Sequence, residues 1–151
     1  MTTSGIEKMG REHLDEVLLI ETSSSLTPWS KEMFLEELRS PLAHSFICHR
    51  VDEAQGLFVA GFICFRNIGE ESELLNIAVH PLYRRQGIGR KLMQFYVELG
   101  KAKQIKTFYL EVHVSNPSAI RLYQEFSYQP VGMRKKFYQG KFDALMMVKR
   151  A

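Results

Sequence analysis

Cysteine is scarce in this chain: there are two, Cys48 and Cys64, among 151 residues. Each interrupts an apolar run of the kind that forms a buried strand. Neither has a second Cys or a His at zinc-ligand spacing, although His49 adjoins Cys48. Both are expected to be reduced core thiols, and no metal site is expected. Long apolar runs are also missing. Nothing approaches the roughly 18 residues of a membrane span, and the opening "MTTSGIEKMGREHLDEV" lacks the apolar core of a signal peptide. The expectation is a cytoplasmic protein with no membrane partner. Repeats, linkers and low-complexity segments are absent too, while 45% apolar and 11% aromatic residues suffice for a sizeable core. One domain spanning residues 1–151 is expected.

Excess charge of one sign is small overall, at +3, which by itself gives no reason to expect a nucleic-acid partner. The distribution is uneven. Residues 1–75 carry six Lys and Arg against thirteen Asp and Glu, a net −7, and residues 76–151 carry fourteen against four, a net +10. The two halves could meet one cationic and one anionic ligand, or simply attract each other.

Periodicity gives the order of elements. A short strand at Ile6 to Met9 precedes a helix marked by Leu14, Val17 and Leu18, which runs up to the polar tract "TSSSLTPWS". Ser30 is placed to cap a second helix through Phe34, Leu35 and Leu38, ending before Pro41. "HSFICHRV" and "LFVAGFICFRN" read as a hairpin across "DEAQG", followed by a third strand, "ELLNIAV". A helix from Ile88 is expected to stop at Gly100. "TFYLEVHV" alternates as a strand, Asn116 and Pro117 open another helix, and the tail reads as two strands joined through Gly140. The predicted order is β-α-α-β-β-β-α-β-α-β-β, a mixed α/β or α+β domain.

Between the third strand of that run and its helix lies "HPLYRRQGIGRKLM". A strand that enters a helix through a glycine turn leaves the first backbone N–H groups of the helix unpaired, a geometry suited to phosphate. A P-loop is excluded, because Gly89 is followed by Arg90, Lys91 and Leu92 rather than by Lys and Ser or Thr. A dinucleotide fingerprint is excluded by Leu92, which stands where a third glycine is needed. What remains is an R-x-x-G-x-G pattern, Arg84-Arg85-Gln86-Gly87-Ile88-Gly89.

On this pattern and the element order around it, the chain resembles the GNAT superfamily of N-acetyltransferases, and within it the RimI-type ribosomal-protein-alanine N-acetyltransferases. Four segments in order carry the resemblance over about residues 26–148: "LTPWSKEMF", "LLNIAVHPLYRRQGIGRKLM", "LEVHVSNPSAIRLY" and "DALMM". It implies a GNAT fold, a mostly antiparallel mixed sheet of about seven strands with about four helices, and acetyl-CoA as cosubstrate. One departure is Ser127, where the family usually has glycine before an aromatic; this leaves the geometry of that turn open.

The resemblance implies roles residue by residue. Glu111, the only carboxylate in its strand, would be the general base, and Tyr123 the acid that protonates the leaving thiolate. Ile77, Ala78 and Val79 would hold the pantetheine arm by main-chain groups. Arg85, Gln86, Gly87, Ile88, Gly89 and Arg90 would surround the pyrophosphate, with Arg84 as a further cation, and Asn116 would add a cofactor contact. Glu73 is a rival base, and His80 and His113 are lesser candidates for relaying protons. Trp29 and Tyr138 are placed in loops beside the peptide groove, where they would hold the first residues of the substrate.

An α-amine titrates near 7.7–8.0 and a lysine near 10.4, so deprotonating lysine at neutral pH costs about 3.5 kcal/mol more. One Glu acting through water suits the α-amine. A basic N-terminal peptide, as of a ribosomal protein, is therefore the expected partner of the acidic half. A lysine side chain, a small-molecule amine, or acyl-CoA binding without turnover remain alternatives.

Overall fold

The computed structural model describes residues 5–54, 56–138 and 140–151, with the side chain of Tyr138 outside that description. Its elements are β1 (Ile6–Lys8), α1 (Leu14–Ser24), α2 (Lys31–Arg39), β2 (Ala43–Asp52), β3 (Gly56–Ile68), β4 (Glu71–Val79), α3 (Ile88–Ala102), β5 (Thr107–His113), α4 (Pro117–Glu125), β6 (Gln129–Tyr138) and β7 (Phe142–Arg150). Short 3-10 turns at Arg11–His13 and Pro81–Tyr83 precede α1 and α3. The seven strands form one sheet in the order β1-β2-β3-β4-β5-β7-β6. All pairs are antiparallel except β4 with β5. No helix among the described residues is long and apolar enough to cross a membrane.

Alternation along the strands divides the core between the two faces of the sheet. On one face, Ile63, Phe65, Leu74, Phe108, Leu110 and Val112 pack against Ile88, Leu92, Met93 and Tyr96 of α3 and Tyr123 of α4. On the other, Ile47, Val59, Phe62, Cys64 and Ala78 meet Leu14, Val17 and Ile20 of α1 and Phe34 of α2. Cys48 belongs to the first cluster and Cys64 to the second, and both are free and buried. Burial pushes the Cys64 thiol up to about 12, so it stays protonated and inert. On the α1 and α2 face the apolar cluster ends at β4. There β5 presents Tyr109, Glu111 and His113, the residues that alternate with its buried Phe108, Leu110 and Val112.

A single extra residue shapes the centre of the sheet. Cys64 of β3 faces Asn76 of β4 and the adjacent Phe65 faces Leu74, so Leu75 has no register partner. Such a bulge bends its strand. β4 pairs with β5 only over Glu71 to Leu74 against Thr107 to Leu110, and beyond Leu74 it keeps its pairing to β3 alone. The two central strands part there.

Helix α3 does not stop at Gly100 but runs to Ala102. Its true terminator is Gln104 at φ 62°, with Gln104 N–H donating to Lys101 O and Ile105 N–H to Gly100 O, at 3.0 and 2.9 Å. This is a Schellman motif made without glycine. Gly100 serves packing instead: a Cβ there would lie 2.6 Å from the buried Phe108 ring. Helix α4 ends in the same way. Ser127 takes φ 71°, its N–H donates to Gln124 O at 3.0 Å, and the Tyr128 N–H donates to Tyr123 O at 3.1 Å. The Tyr128 ring then packs on Tyr123, with centroids 5.9 Å apart. The serine thus adopts the left-handed turn that glycine would make, at a steric cost of about 1–2 kcal/mol.

Two stability tests follow from these helix ends. Gly100→Ala should destabilise the protein by about 1–3 kcal/mol in urea unfolding through overpacking against Phe108, and Phe108→Leu in the same chain should recover part of the loss. Ser127→Gly should stabilise it by roughly 0.5–1 kcal/mol, the relieved strain less the added entropy of an unfolded glycine, seen as a higher urea midpoint at constant slope.

Candidate active site

Where β4 and β5 part, a cavity of about 370 Å³ opens. Asn76, Ile77 and Ala78 line it from β4, and Glu111 and His113 from β5. Asn116 and Tyr123 reach it from α4, and Glu21 and Trp29 from α1 and the segment after it. Tyr123 belongs to the core under α3 and α4, whereas Glu111 stands on the opposite face of β5. Both line one cavity because the sheet is parted between them.

Each side chain is held locally. Arg134 of β6 donates from Nη2 to Glu111 Oε1 at 3.2 Å, and Glu111 Oε2 is buried without a hydrogen-bond partner among the described residues. Tyr123 is 6% exposed, and the turn after α4 closes on its own carbonyl and ring. Asn116 caps α4, its Oδ1 accepting the Ala119 N–H at 3.2 Å, with Pro117 in the first turn as its sequence implies. The Trp29 ring packs on Phe34, centroids 5.1 Å apart, and the Trp29 backbone N–H donates to Glu21 Oε2 at 2.9 Å. Thr27 Oγ1 lies 3.2 Å from His113 Nε2, which ties the same segment to β5. Burial lowers the His113 imidazole and favours its neutral form.

The glycine loop continues from the end of β4. Gly87 takes φ 81° and caps α3 with no side chain, so the first-turn N–H groups of this fifteen-residue helix receive no N-cap side-chain acceptor. An anion suits that position through hydrogen bonding and the helix dipole. Arg85, left-handed at φ 63°, is exposed and makes no ion pair among the described residues. Arg84 donates to Ser24 Oγ at 3.0 Å, and Arg90 donates to both carboxylate oxygens of Glu125, the shorter contact 2.7 Å. The Arg90 guanidinium is thus committed to α4, which leaves its backbone N–H for an anion.

Seven of the sequence candidates therefore share the cavity: Glu111, Tyr123, Asn116, Ile77, Ala78, Trp29 and His113. Val79, which ends β4, and residues 85–90, in the loop after it and the first turn of α3, do not line it. Tyr138 is not in a loop; its backbone ends β6, opposite Phe142, and its side chain lies outside the described residues. Glu73 does not line the cavity either, although partial burial and the nearby Glu111 charge push its carboxyl up. His80 accepts the Leu82 N–H on Nδ1 at 3.1 Å and caps a turn.

Sequence reasoning missed Glu21, Asn76, Thr27 and Arg134. Glu21 had a readable signal, a carboxylate on the same helical stripe as Leu14 and Val17. Among the described residues, Glu7, His13 and His49 stand close enough to share a metal ion. His13 Nδ1, however, accepts the Gly10 N–H at 2.9 Å, which leaves the neutral ring its proton on Nε2, the nitrogen 3.3 Å from Glu7. That arrangement makes a hydrogen bond rather than a metal ligand.

Comparison with known proteins bears on this cavity. A family model described as "Acetyltransferase (GNAT) family" matches residues 14–128. A Bacillus subtilis (strain 168) protein, provisionally named a ribosomal protein bS18-alanine N-acetyltransferase, is 38% identical over 148 residues, 97% of this chain and 95% of that protein. The ribosomal protein bS18-alanine N-acetyltransferase of Escherichia coli (strain K12) is 30% identical over 131 residues, 85% of this chain and 84% of that one. The crystal structure of the Escherichia coli ribosomal-protein-S18-alanine N-acetyltransferase superposes with a TM-score of 0.84 at 28% identity, covering 96% of this chain and 92% of that one. With a family model spanning most of its length, relatives aligned nearly end to end and the same fold in a solved structure, the chain belongs to the GNAT family of acetyltransferases.

Proposed function

We propose that the protein transfers an acetyl group from acetyl-CoA to the N-terminal α-amine of a protein, a ribosomal protein in the first instance. The observation that carries the reading is one cavity shared by a buried carboxylate oxygen, Glu111 Oε2, and a buried phenol, Tyr123, at the end of a strand that leads to an uncapped helix N-terminus. The ribosomal target rests on the names of the relatives in B. subtilis and E. coli. The acidic first half of the chain, net −7, suits a cationic peptide.

Acetyl-CoA fits the donor set. The N–H groups at the start of α3, with Arg85 beside them, hold the pyrophosphate, and the unpaired edge of β4 at Ile77 to Val79 offers main-chain groups to the pantetheine arm. The bound cosubstrate supplies an acyl thioester. Glu111 Oε2 accepts a proton from the attacking amine, directly or through water, as the N–C bond forms. Tyr123 gives its proton to the sulfur as the C–S bond breaks, and bulk water restores both groups. Arg134, by occupying Oε1, fixes which carboxylate oxygen faces the amine. Peptide contact would fall to Trp29, and to Tyr138 from the end of β6. The direct test is incubation with acetyl-CoA and a panel of N-terminal peptides. Mass spectrometry should find the acetyl group on the first residue; acetyl found only on internal lysines would move the assignment to side-chain amines.

Two sets of variants test the parts. Glu111→Gln should bind acetyl-CoA normally and lose roughly 10²- to 10⁴-fold in kcat, with the loss shrinking as pH rises from 6.5 to 9.5 because more of the amine is already neutral. Tyr123→Phe should also be slow but gain no such rescue; parallel pH profiles would show that the two residues do not divide the work this way. Arg85→Glu should weaken acetyl-CoA binding roughly tenfold or more by calorimetry, with unchanged melting temperature and a smaller deficit at high salt.

A further inference from the structure

The cavity holds a second carboxyl group to which the chemistry above gives no task. Glu21 lies three residues from the end of α1 and is 1% exposed. Removing a carboxylate from water is costly unless it is paired, yet no cation among the described residues forms an ion pair with Glu21. Its two hydrogen bonds, from the Trp29 N–H at 2.9 Å and Asn76 Nδ2 at 3.0 Å, both fall on Oε2. Oε1 is buried and has no hydrogen-bond partner among the described residues, and Glu21 and Asn76 both line the cavity. The fold does not need this charge. A glutamine carbonyl would accept the same two bonds with no ion to desolvate. Burial raises the carboxyl pKa on balance, against the two bonds that lower it, so a cation brought into the cavity would favour its ionised form.

Glu111 is built the same way: one oxygen is anchored, Oε1 on Arg134, and the other is spare. A neutral primary amine attacking a thioester aims its lone pair at the carbonyl carbon and has two N–H groups left. One proton must go to the base, and the other N–H needs an acceptor once the amine has left bulk water for the cavity.

We propose that Glu21 is a substrate-binding residue, whose spare Oε1 accepts a hydrogen bond from the amino group to be acetylated while Glu111 takes its proton. This rests on reading the cavity as the amine site. Glu21 draws in the ammonium form and then fixes the rotation of the neutral amine, so the site selects a primary amine by charge and hydrogen bonding together.

The test is calorimetric titration of CoA-saturated enzyme with an alanine-first peptide and with its desamino counterpart, in which propionyl replaces alanyl, beside steady-state kinetics. Wild type should prefer the amino peptide. Glu21→Gln should weaken the amino peptide roughly 10- to 100-fold, raise KM more than it lowers kcat, and leave the desamino peptide and CoA within about twofold. An equal loss for both peptides would assign Glu21 to holding the Trp29 segment only, and no change for either would remove it from the site; both outcomes overturn the proposal. Should Glu21→Gln fail to fold, Glu21→Asp, which keeps the charge but withdraws it by one methylene, is expected to lose part of the same preference, and undiminished preference in it would be equally contrary. A wild type that acetylates no peptide amine overturns the functional reading and this one together. Turnover by wild type with full amino preference retained in Glu21→Gln overturns this one alone.

Discussion

The unpaired residue Leu75 in β4 is the constraint on which the rest of the molecule depends. Two parallel neighbours held in register along their whole length would make a closed surface, with every main-chain group of β4 bonded on both sides. One residue of mismatch against β3 bends β4 away from β5, and three consequences follow from that bend. A cavity opens in the middle of a stable sheet, an edge of β4 becomes available to a ligand, and side chains from the two faces come within one space. The rigidity of the sheet on either side is what keeps the opening from collapsing. β3 stays paired to β4, and β7 to β5, so neither strand is free to follow the other.

Beside that opening, and at the far end of α3, the chain spends stability to hold groups in place. Ser127 and Gln104 occupy left-handed turns without glycine, and in each case the turn fixes the start of what comes next: Tyr128 against Tyr123 after α4, and Ile105 before β5 after α3. The charges are treated with the same economy. Arg134 takes one oxygen of Glu111, Asn76 and the Trp29 N–H take one oxygen of Glu21, and Arg90 is pinned to Glu125. Each acid in the cavity is thus oriented by the oxygen it has given up.

Much of the fold was legible in the sequence, because alternation and helical spacing are local signals that tertiary contacts reinforce. The element order, the Asn116 cap and the α-helical start at Ile88 were of that kind. Gly100 was misread as a terminator because a glycine required by a ring from a later strand looks the same, in a window of sequence, as one required by a left-handed turn. Leu75 could not be found at all, since a bulge exists only as a relation between two strands. The site divides similarly. Glu111 and Tyr123 stood out by type and motif, while Arg134 is one of several cations in its strand, and only the register places it beside Glu111. Arg90 lay in the right loop, yet its partner is thirty-five residues away on another helix. Tyr138 was assigned to a loop, although its spacing from Phe142 is that of a hairpin.

The two halves of the site have different origins in the protein's architecture. Tyr123 is mounted on the layer of α3 and α4, and Glu21 on the layer of α1 and α2, with Glu111 carried on the strand between them. No single layer contains a complete set. On the proposed roles, one layer alone carries part of the site's chemistry and none of its geometry. The cavity is complete only when both layers are packed on the sheet, so its integrity reports on the whole fold rather than on either layer.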